Sequence, residues 1–352
     1  MTSPDRIPIL IDCDTGIDDA LALLYAVASP DCELVAATCL SGNVEASQVA
    51  RNTLAVLELA GRTDVEVALG RPIPLVRDLL IAPETHGPEG IGYAQLPPPT
   101  RPLSDRFGPD VIVAEARARP GELTLLTTGP LTNIAIALLE EPGLPRLLRR
   151  WVLMGGAYRV NGNTAPTTEW NVHCDPDAAR LAFTAFGRST EEAGTPRPLA
   201  LGLDVTERAK MTPDHVVALA RRAGSRPAER LAPPGGGPEP RSVASNPVVR
   251  FVADALRFYM EFHSRYDGFY GAFVHDPLAL AAALDPGLVR TEAVAVDVEL
   301  GGTLTTGETV ADWRRVWGRP PNVDVAVEAD AATFLERFVE RVGDLAARIG
   351  DD

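Results

Sequence analysis

Positively charged side chains are scarce in this sequence. It contains a single lysine, Lys210, its arginines are scattered, and the formal net charge is −15. Proteins that bind nucleic acids or anionic membrane surfaces neutralise phosphate groups with clusters of Lys and Arg. We therefore expect neither nucleic acid nor a membrane among the partners of this protein.

Cysteines and long apolar runs are also limited. The four cysteines, Cys13, Cys32, Cys39 and Cys174, form no CxxC pair, and three of them lie in or beside apolar runs. This usage predicts buried, reduced thiols in a cytosolic protein and argues against a zinc site. The first apolar run, residues 7–11, is too short for a signal peptide or a membrane span. The sequence therefore predicts a soluble, cytoplasmic protein.

The most unusual stretch lies between a strand-like and a helix-like segment. Residues 7–11 form an Ile-rich run typical of a buried parallel strand, and residues 20–24 are rich in Ala and Leu, as in a helix. Four carboxylates lie between them: Asp12, Asp14, Asp18 and Asp19. Because ligands of open α/β sheets bind outside the carboxyl ends of the strands, we expect these acids at the mouth of a cleft.

Carboxylates packed this closely repel one another unless a cation lies among them. Oxygen-rich clusters favour a hard divalent ion, either Ca²⁺ or Mg²⁺. A structural alternative is that Asp18 and Asp19 only stabilise the first turn of the following helix. Because that alternative leaves Asp12 and Asp14 unexplained, the stretch favours a metal site.

Strand-like, loop and helix-like segments alternate along most of the chain. This alternation predicts an α/β fold with a single doubly wound, largely parallel sheet flanked by helices. Residues 294–300 and 303–310 predict a small antiparallel extension near the C-terminus. With no linker or internal repeat, we expect one domain over residues 1–352, with a flexible Pro/Gly-rich segment at about 224–245. The irregular stretch 70–105 predicts a functional loop or a surface excursion.

Several polar groups further along the chain are ambiguous when each is considered alone. Asp276 precedes a proline and could simply cap a helix. Glu169 and Asn171 lie in a Thr/Asn-rich loop, where polar residues are ordinary. His86 and His275 could each be structural histidines, although they lie at loop positions among glycines or acids. Only their combination carries functional information.

Taken together, the polar segments resemble those of the nucleoside hydrolases of the inosine-uridine-preferring type. The resemblance depends on seven segments and their spacing: DCDTGIDDALAL, SGN, HGPEGIG, TTGPLTNIA, MGGA, GNTAPTTEWN and HDPLA. It extends from about Ile7 to the C-terminal helix, and the DxDxxxDD and HDP elements are highly specific when found together. It implies Ca²⁺-dependent hydrolysis of the N-glycosidic bond of ribonucleosides, giving free base and ribose.

The resemblance also implies roles for individual residues. One Ca²⁺ ion, with Mg²⁺ less favoured, would be bound by four groups: Asp14, Asp19, the backbone carbonyl of Thr128, and Asp276. Asp12 and Asp18 would lie close behind these ligands. Asp14 would also take the proton of the attacking water. The ribose would be surrounded by five residues: Asn43, Met154, Asn163, Glu169 and Asn171.

At the other end of the substrate, the resemblance implies that His86 and His275 face the base. His275 would protonate the departing base, a task suited to a histidine with a pKa near neutral. Its presence favours the broader or pyrimidine-accepting branch, because relatives without it tend to be purine-selective. Phe262 and Tyr266 are either base contacts or ordinary packing of an amphipathic helix. A small-molecule nucleoside substrate and a homodimer or homotetramer are implied as well.

Two other interpretations begin from the same residues. Asp12 to Thr15 also resembles the DxDxT opening of haloacid-dehalogenase-type phosphatases, which use Mg²⁺ and a phosphate-neutralising lysine, here Lys210. The other interpretation is a protein that binds nucleosides or sugars without catalysis.

Thr15 departs from the family pattern, which has proline between Asp14 and Gly16. We expect little effect from this change.

Overall fold

The computed structural model describes residues 6–226 and 238–350. Its strands are β1 (Ile7–Cys13), β2 (Cys32–Cys39), β3 (Glu66–Leu69), β4 (Thr124–Thr127), β5 (Arg150–Met154), β6 (Leu199–Leu201), β7 (Lys210–Met211), β8 (Ala272–Phe273), β9 (Val289–Val294), β10 (Val296–Val298), β11 (Thr309–Ala311) and β12 (Val323–Ala329). Its α-helices are α1 (Ile17–Ala28), α2 (Ala46–Leu59), α3 (Pro83–His86), α4 (Gly108–Ala118), α5 (Thr132–Glu140), α6 (Leu144–Leu147), α7 (Trp170–Cys174), α8 (Pro176–Ala193), α9 (Leu203–Thr206), α10 (Pro213–Arg222), α11 (Pro247–Tyr266), α12 (His275–Leu284) and α13 (Ala331–Ile349).

The centre of the molecule is an eight-stranded sheet in the order β3-β2-β1-β4-β5-β6-β12-β9. All neighbouring pairs are parallel except β12 and β9, which pair antiparallel at one edge. The predicted doubly wound, largely parallel sheet is therefore confirmed. Near the C-terminus, β10 and β11 form the predicted antiparallel extension, with Val298 paired to Thr309. The two-residue ribbon of β7 and β8 was not predicted.

Helices cover both faces of the sheet. In β1, Ile9 and Ile11 face a core layer that includes α1, α11, α12 and α13, whereas Leu10 faces a layer that includes α4, α5 and α8. This alternation is the two-residue period of a strand buried on both faces. Helix α1 is apolar around almost its whole circumference and is correspondingly buried, with Tyr25 packed against Phe334 and Phe338 of α13.

The topology places the acidic stretch at a crevice. The chain passes from β1 outward to β2 and β3 and then returns to pair β4 with the other side of β1. Asp12 at the end of β1 is in register with Thr38 of β2 and Thr127 of β4. The order of the strands therefore reverses at β1 and β4. At such a reversal, the chain leaves the two neighbouring strands in opposite directions, and the carboxyl ends of these strands form a binding crevice.

The buried cysteines and the irregular stretch 70–105 were also predicted from the sequence. All four cysteines are buried free thiols, as expected. Across the described ranges, none of the helices has the length and apolar character needed to span a bilayer. The predicted stretch 70–105 contains α3 and is otherwise irregular. Residues 227–237 of the predicted Pro/Gly-rich segment lie outside the described residues.

Candidate active site

Carboxylates from two helices meet at this crevice. Asp18 and Asp19 lie in the first turn of α1, and Asp276 lies in the first turn of α12, which packs against α1. Carboxylate oxygens of these three residues lie within 4.8 Å of one another, and all three side chains are buried. Residues far apart in the sequence therefore form one oxygen-rich group of the kind that hard divalent cations prefer.

Asp19 is held by donors from three segments. Its Oδ2 accepts hydrogen bonds from the Gly16 backbone N–H at 2.9 Å and from Asn43 Nδ2 at 3.1 Å. Its Oδ1 accepts one from the Thr128 hydroxyl at 2.7 Å. The backbone N–H of Asn43 donates to Asp14 Oδ2 at 2.8 Å, so Asn43 orients both carboxylates. Asn43, predicted as a ribose contact, thus also positions the acids.

Glycine is required where the backbone passes Asp14. A Cβ atom on Gly42 would lie 2.0 Å from Asp14 Oδ2. Gly129 leaves slightly more room, since its Cβ would lie 3.0 Å from Asp14 Oδ1, which is still a tight contact. These glycines of the SGN and TTGP segments allow the loops after β2 and β4 to approach the acid closely.

Two buried carboxylate oxygens at this crevice, Asp12 Oδ2 and Asp14 Oδ1, have no hydrogen-bond partner among the residues described. Burial raises the pKa of Asp12 to about 7 and that of Asp18 to about 8, with repulsion from Asp19 adding to both. The pKa of Asp276 is also raised well above its ordinary value by burial and by neighbouring carboxylates. A cation would compensate this concentration of charge and donor-free oxygens, so the residues present fit a divalent metal ion.

The three carboxylates that the structure brings together are not the three that were predicted as metal ligands. The group of three contains Asp18, which the resemblance placed behind the ligands, and does not contain Asp14. The fourth predicted ligand, the carbonyl of Thr128, accepts a hydrogen bond from Asn171 Nδ2 at 2.8 Å. Asp12 remains behind the group, where Thr38 and Asn133 donate to its Oδ1.

Four of the five predicted ribose contacts lie between the end of β5 and helix α7. Asn171 Nδ2 also donates to the Met154 carbonyl at 3.2 Å, which links the loops after β4 and β5. Glu169 caps α7, and its carboxylate accepts hydrogen bonds from the backbone N–H groups of Gly156, Asn171 and Val172. Asn163 is exposed, and its Oδ1 accepts the Trp170 backbone N–H at 3.0 Å.

Both predicted histidines are buried and neutral at neutral pH. Burial lowers the pKa of His86 and that of His275 to about 3, well below the near-neutral value expected from the sequence. His86 Nδ1 accepts the backbone N–H of Ile17 at 3.1 Å, so the His86 proton lies on Nε2. His275 Nδ1 lies 2.8 Å from the hydroxyl of Thr206, which fixes the ring. Neutral imidazoles in this position can donate hydrogen bonds without carrying charge.

These groups line a cavity of about 510 Å³. Its wall contains ten of the residues that the sequence analysis named as candidates: Asp18, Asn43, His86, Thr128, Met154, Asn163, Glu169, Asn171, His275 and Asp276. Phe262 and Tyr266 of α11 lie in the same wall. Asp12, Asp14 and Asp19 are buried and are not part of the wall. Over the described part of the chain, the wall contains six carboxylate side chains and neither lysine nor arginine.

Some residues at the site were not identified from the sequence. Thr38, Asn133 and Thr206 hold Asp12 and His275 in place. The first two had a usable signal, because Thr38 lies next to the last residue of the strand beside β1 and Asn133 lies within the TTGPLTNIA segment. Thr206 had none, since its contact with His275 depends on how α9 and α12 pack.

The departure from the family pattern at Thr15 has a local explanation. Thr15 is fully buried, and its hydroxyl lies 2.7 Å from the hydroxyl of Thr53 on α2. A contact between side chains on two elements therefore supports the turn that proline would otherwise restrict.

Lys210 does not serve the role that a phosphatase would require. It lies on β7, with its ammonium group 4.9 Å from the centre of the Phe269 ring, and it is absent from the cavity wall. The phosphatase interpretation therefore lacks its phosphate-neutralising group.

Comparison with known proteins agrees with this geometry. A model of the inosine-uridine preferring nucleoside hydrolase family matches residues 9–336. A relative from Enterobacter sp. (strain 638), named pyrimidine-specific ribonucleoside hydrolase RihA, is 37% identical over 97% of this chain and 99% of its own length.

Solved structures give the same result. The purine-preferring ribonucleoside hydrolase from Gardnerella vaginalis superimposes with a TM-score of 0.84 at 32% identity, covering 97% of this chain and 99% of that one. The plant nucleoside hydrolase PpNRh1 has a TM-score of 0.82 at 31% identity, covering 96% and 99%. The chain therefore belongs to the inosine-uridine preferring nucleoside hydrolase family and is a hydrolase that acts on the N-glycosyl bond of ribonucleosides.

Proposed function

We propose that this enzyme is Ca²⁺-dependent and that pyrimidine ribonucleosides are among its substrates. The observation that carries the metal proposal is the buried group of Asp18, Asp19 and Asp276, whose oxygens lie within 4.8 Å of one another in the active-site region. Ca²⁺ takes many oxygen ligands from protein, whereas Mg²⁺ keeps several waters and uses few carboxylates. A dedicated set of buried carboxylates and a backbone carbonyl therefore favours Ca²⁺.

We assign the ion to four ligands: Asp14, Asp19, Asp276 and the carbonyl of Thr128. Asp14 is included because its Oδ1 is buried and without a partner among the described atoms. The carboxyl groups of Asp18 and Asp276 hydrogen-bond to each other, so Asp18 orients Asp276. Asp12, held by Thr38 and Asn133, adds negative charge behind the ligands.

The reaction needs a base for the attacking water and stabilisation of the positive charge that develops on the ribose. A Ca²⁺ ion held by these ligands would supply Lewis acidity, which would make a water easier to deprotonate. Asp14 accepts the proton of the attacking water at its carboxylate. The surrounding carboxylates stabilise the cationic ribose as the bond from C1′ to the base nitrogen breaks. The bonding electrons leave with the base, which takes up one proton to replace the one that Asp14 removed from the water.

The remaining candidates orient the two halves of the substrate. Asn43, Met154, Asn163, Glu169 and Asn171 surround the ribose. His86 and His275 face the base, and His275, held by Thr206, gives hydrogen-bonding support as negative charge grows on the leaving group. Because burial keeps the pKa of His275 low, this support comes from a neutral imidazole.

We further propose that the chain forms one domain and acts as a homodimer or homotetramer in the cytoplasm. One continuous sheet that joins strands from Ile7 to Ala329 supports the single domain. The expected absence of nucleic-acid and membrane partners follows from the charge of −15. Light scattering coupled to size-exclusion chromatography measures the oligomeric state.

A substrate panel tests the proposed activity. The purified protein is incubated with uridine, cytidine, inosine, adenosine and guanosine, and the ribose released is measured as reducing sugar. We expect release from uridine and cytidine. p-Nitrophenyl phosphate serves as the competing substrate, and its hydrolysis at rates above ribose release would overturn the proposal.

A further inference from the structure

One histidine in the cavity wall is not explained by the roles given so far. His263 lies near the end of α11, only 4% of it is exposed, and it lines the cavity. Its Nδ1 lies 2.7 Å from Asp267 Oδ2. Its Nε2 is buried and has no partner among the described residues. Since a buried ring nitrogen without a partner is costly, this atom indicates a polar ligand atom in the cavity.

The surroundings of His263 place it at the base end of the site. Its ring centroid lies 4.6 Å from that of Tyr259 and 4.7 Å from that of Phe273. Tyr259 in turn contacts His86 at 5.4 Å, and Phe273 contacts His275 at 5.9 Å. His263 is therefore the middle member of a chain of rings that joins the two proposed base-facing histidines. Such rings offer flat, apolar surfaces that suit a nucleobase.

The chemistry of His263 Nε2 is set by its neighbour. A carboxylate can only accept a hydrogen bond, so the proton of the neutral ring lies on Nδ1, facing Asp267. Burial lowers the pKa of His263, which keeps the ring neutral at neutral pH. Nε2 then carries a lone pair, so it is an unpaired acceptor on a residue of the cavity wall.

We infer that His263 is a specificity-determining residue, whose Nε2 accepts a hydrogen bond from an N–H group on the nucleobase, such as N3–H of uracil. The inference rests on the proposed function, because it assumes that a nucleoside occupies this cavity. It also addresses a point that family membership leaves open. The relatives are named pyrimidine-specific in one case and purine-preferring in another, so residues that contact the base edge decide the preference.

The test compares uridine with 3-methyluridine, in which a methyl group replaces the N3 hydrogen. We expect the wild-type kcat/KM for uridine to exceed that for 3-methyluridine by about 10- to 100-fold, since a buried acceptor is left unpaired by the analogue. 5-Methyluridine, which keeps N3–H, controls for the added bulk. His263→Phe keeps the aromatic packing, and we expect it to lower kcat/KM for uridine while changing that for 3-methyluridine little.

Three further variants sharpen the comparison. His263→Gln keeps an acceptor on the side chain, and we expect it to retain a preference for uridine. Asp267→Asn weakens control of the tautomer and should lower the preference without removing the ring. His215→Gln, on α10 and outside the cavity wall, is the matched control and should leave the ratio unchanged.

The outcomes separate this inference from the proposed function. Absence of ribose release from every nucleoside by the wild type would refute the function itself. Turnover of uridine with no preference over 3-methyluridine, or an unchanged preference in His263→Phe, would refute the role of His263 alone. If His263→Phe does not fold, as judged by circular dichroism, an unchanged preference in Asp267→Asn would refute it instead.

Discussion

The hydroxyl of Thr128 donates a hydrogen bond of 2.7 Å to Asp19 Oδ1, which joins the loop after β4 to the first turn of α1. The two residues are 109 positions apart in the sequence and meet where the order of the strands reverses. The backbone carbonyl of the same threonine faces Asn171 on α7. Thr128 thus links the carboxylates to the side of the cavity assigned to the ribose.

Replacement of Asp14 by Asn tests its assignment as the base. The amide cannot accept the proton of the water, so we expect kcat to fall by about 10²- to 10⁴-fold. Uridine binding, measured by calorimetry, should persist. Asp64→Asn is the control, because the Asp64 side chain is 69% exposed and pairs with Arg62 on the surface. Near-normal turnover by Asp14→Asn would remove Asp14 from the mechanism, and an absence of turnover in the wild type would identify a binding protein.

Replacement of Asp276 by Asn tests the cation site by a measurement other than activity. An ion that binds only the folded state raises the melting temperature as its concentration increases. We expect Ca²⁺ to raise the melting temperature of the chelator-treated wild type and of Asp64→Asn, and to have a much smaller effect on Asp276→Asn. Equal shifts in all three proteins would place the ion elsewhere.

Replacement of Thr206 by Val tests how His275 is positioned. Valine keeps the shape of threonine but removes the hydroxyl that lies 2.8 Å from His275 Nδ1. We expect kcat for uridine to fall by about tenfold with little change in KM, because in the proposed mechanism His275 supports the leaving base in the transition state. Thr190→Val, which removes a hydroxyl on α8 that donates to the Phe186 carbonyl, is the control. A purely structural role for Thr206 would lower stability and leave kcat unaltered.

The charge of the cavity predicts discrimination against nucleotides. Its wall has six carboxylate side chains, and within the two described ranges no lysine or arginine joins them. A 5′-phosphate would therefore meet repulsion with no counter-charge, so we expect kcat/KM for uridine 5′-monophosphate to be at least about tenfold below that for uridine. Chromatographic measurement of released uracil checks this. Equal rates for both compounds would show that the phosphate lies outside the cavity.

Much of the fold, and the presence of an acidic group at the crevice, could be predicted from local sequence patterns. The Ile-rich run before Asp12 predicts β1, and parallel strands gather the residues after their carboxyl ends at one edge. The amphipathic helix that carries Phe262 and Tyr266 is α11, Pro247–Tyr266, whose aromatic and apolar repeat begins just after the Asn246 cap.

Other features depended on contacts that no local pattern contains. Helix α7 has five residues, and its main signal is the Glu169 cap, so it was interpreted as loop. The grouping of Asp18 with Asp276 depends on the packing of α1 against α12. The free acceptor of His263 requires knowledge of both its burial and its contact with Asp267.

The most direct test of the central claim is the rate of ribose release from uridine by metal-free enzyme before and after Ca²⁺ is added. Metal content is first verified by elemental analysis. We expect the metal-free enzyme to lose activity by at least about 100-fold and to recover it as one Ca²⁺ ion binds per chain. Undiminished ribose release by protein shown to contain no divalent metal would contradict the account.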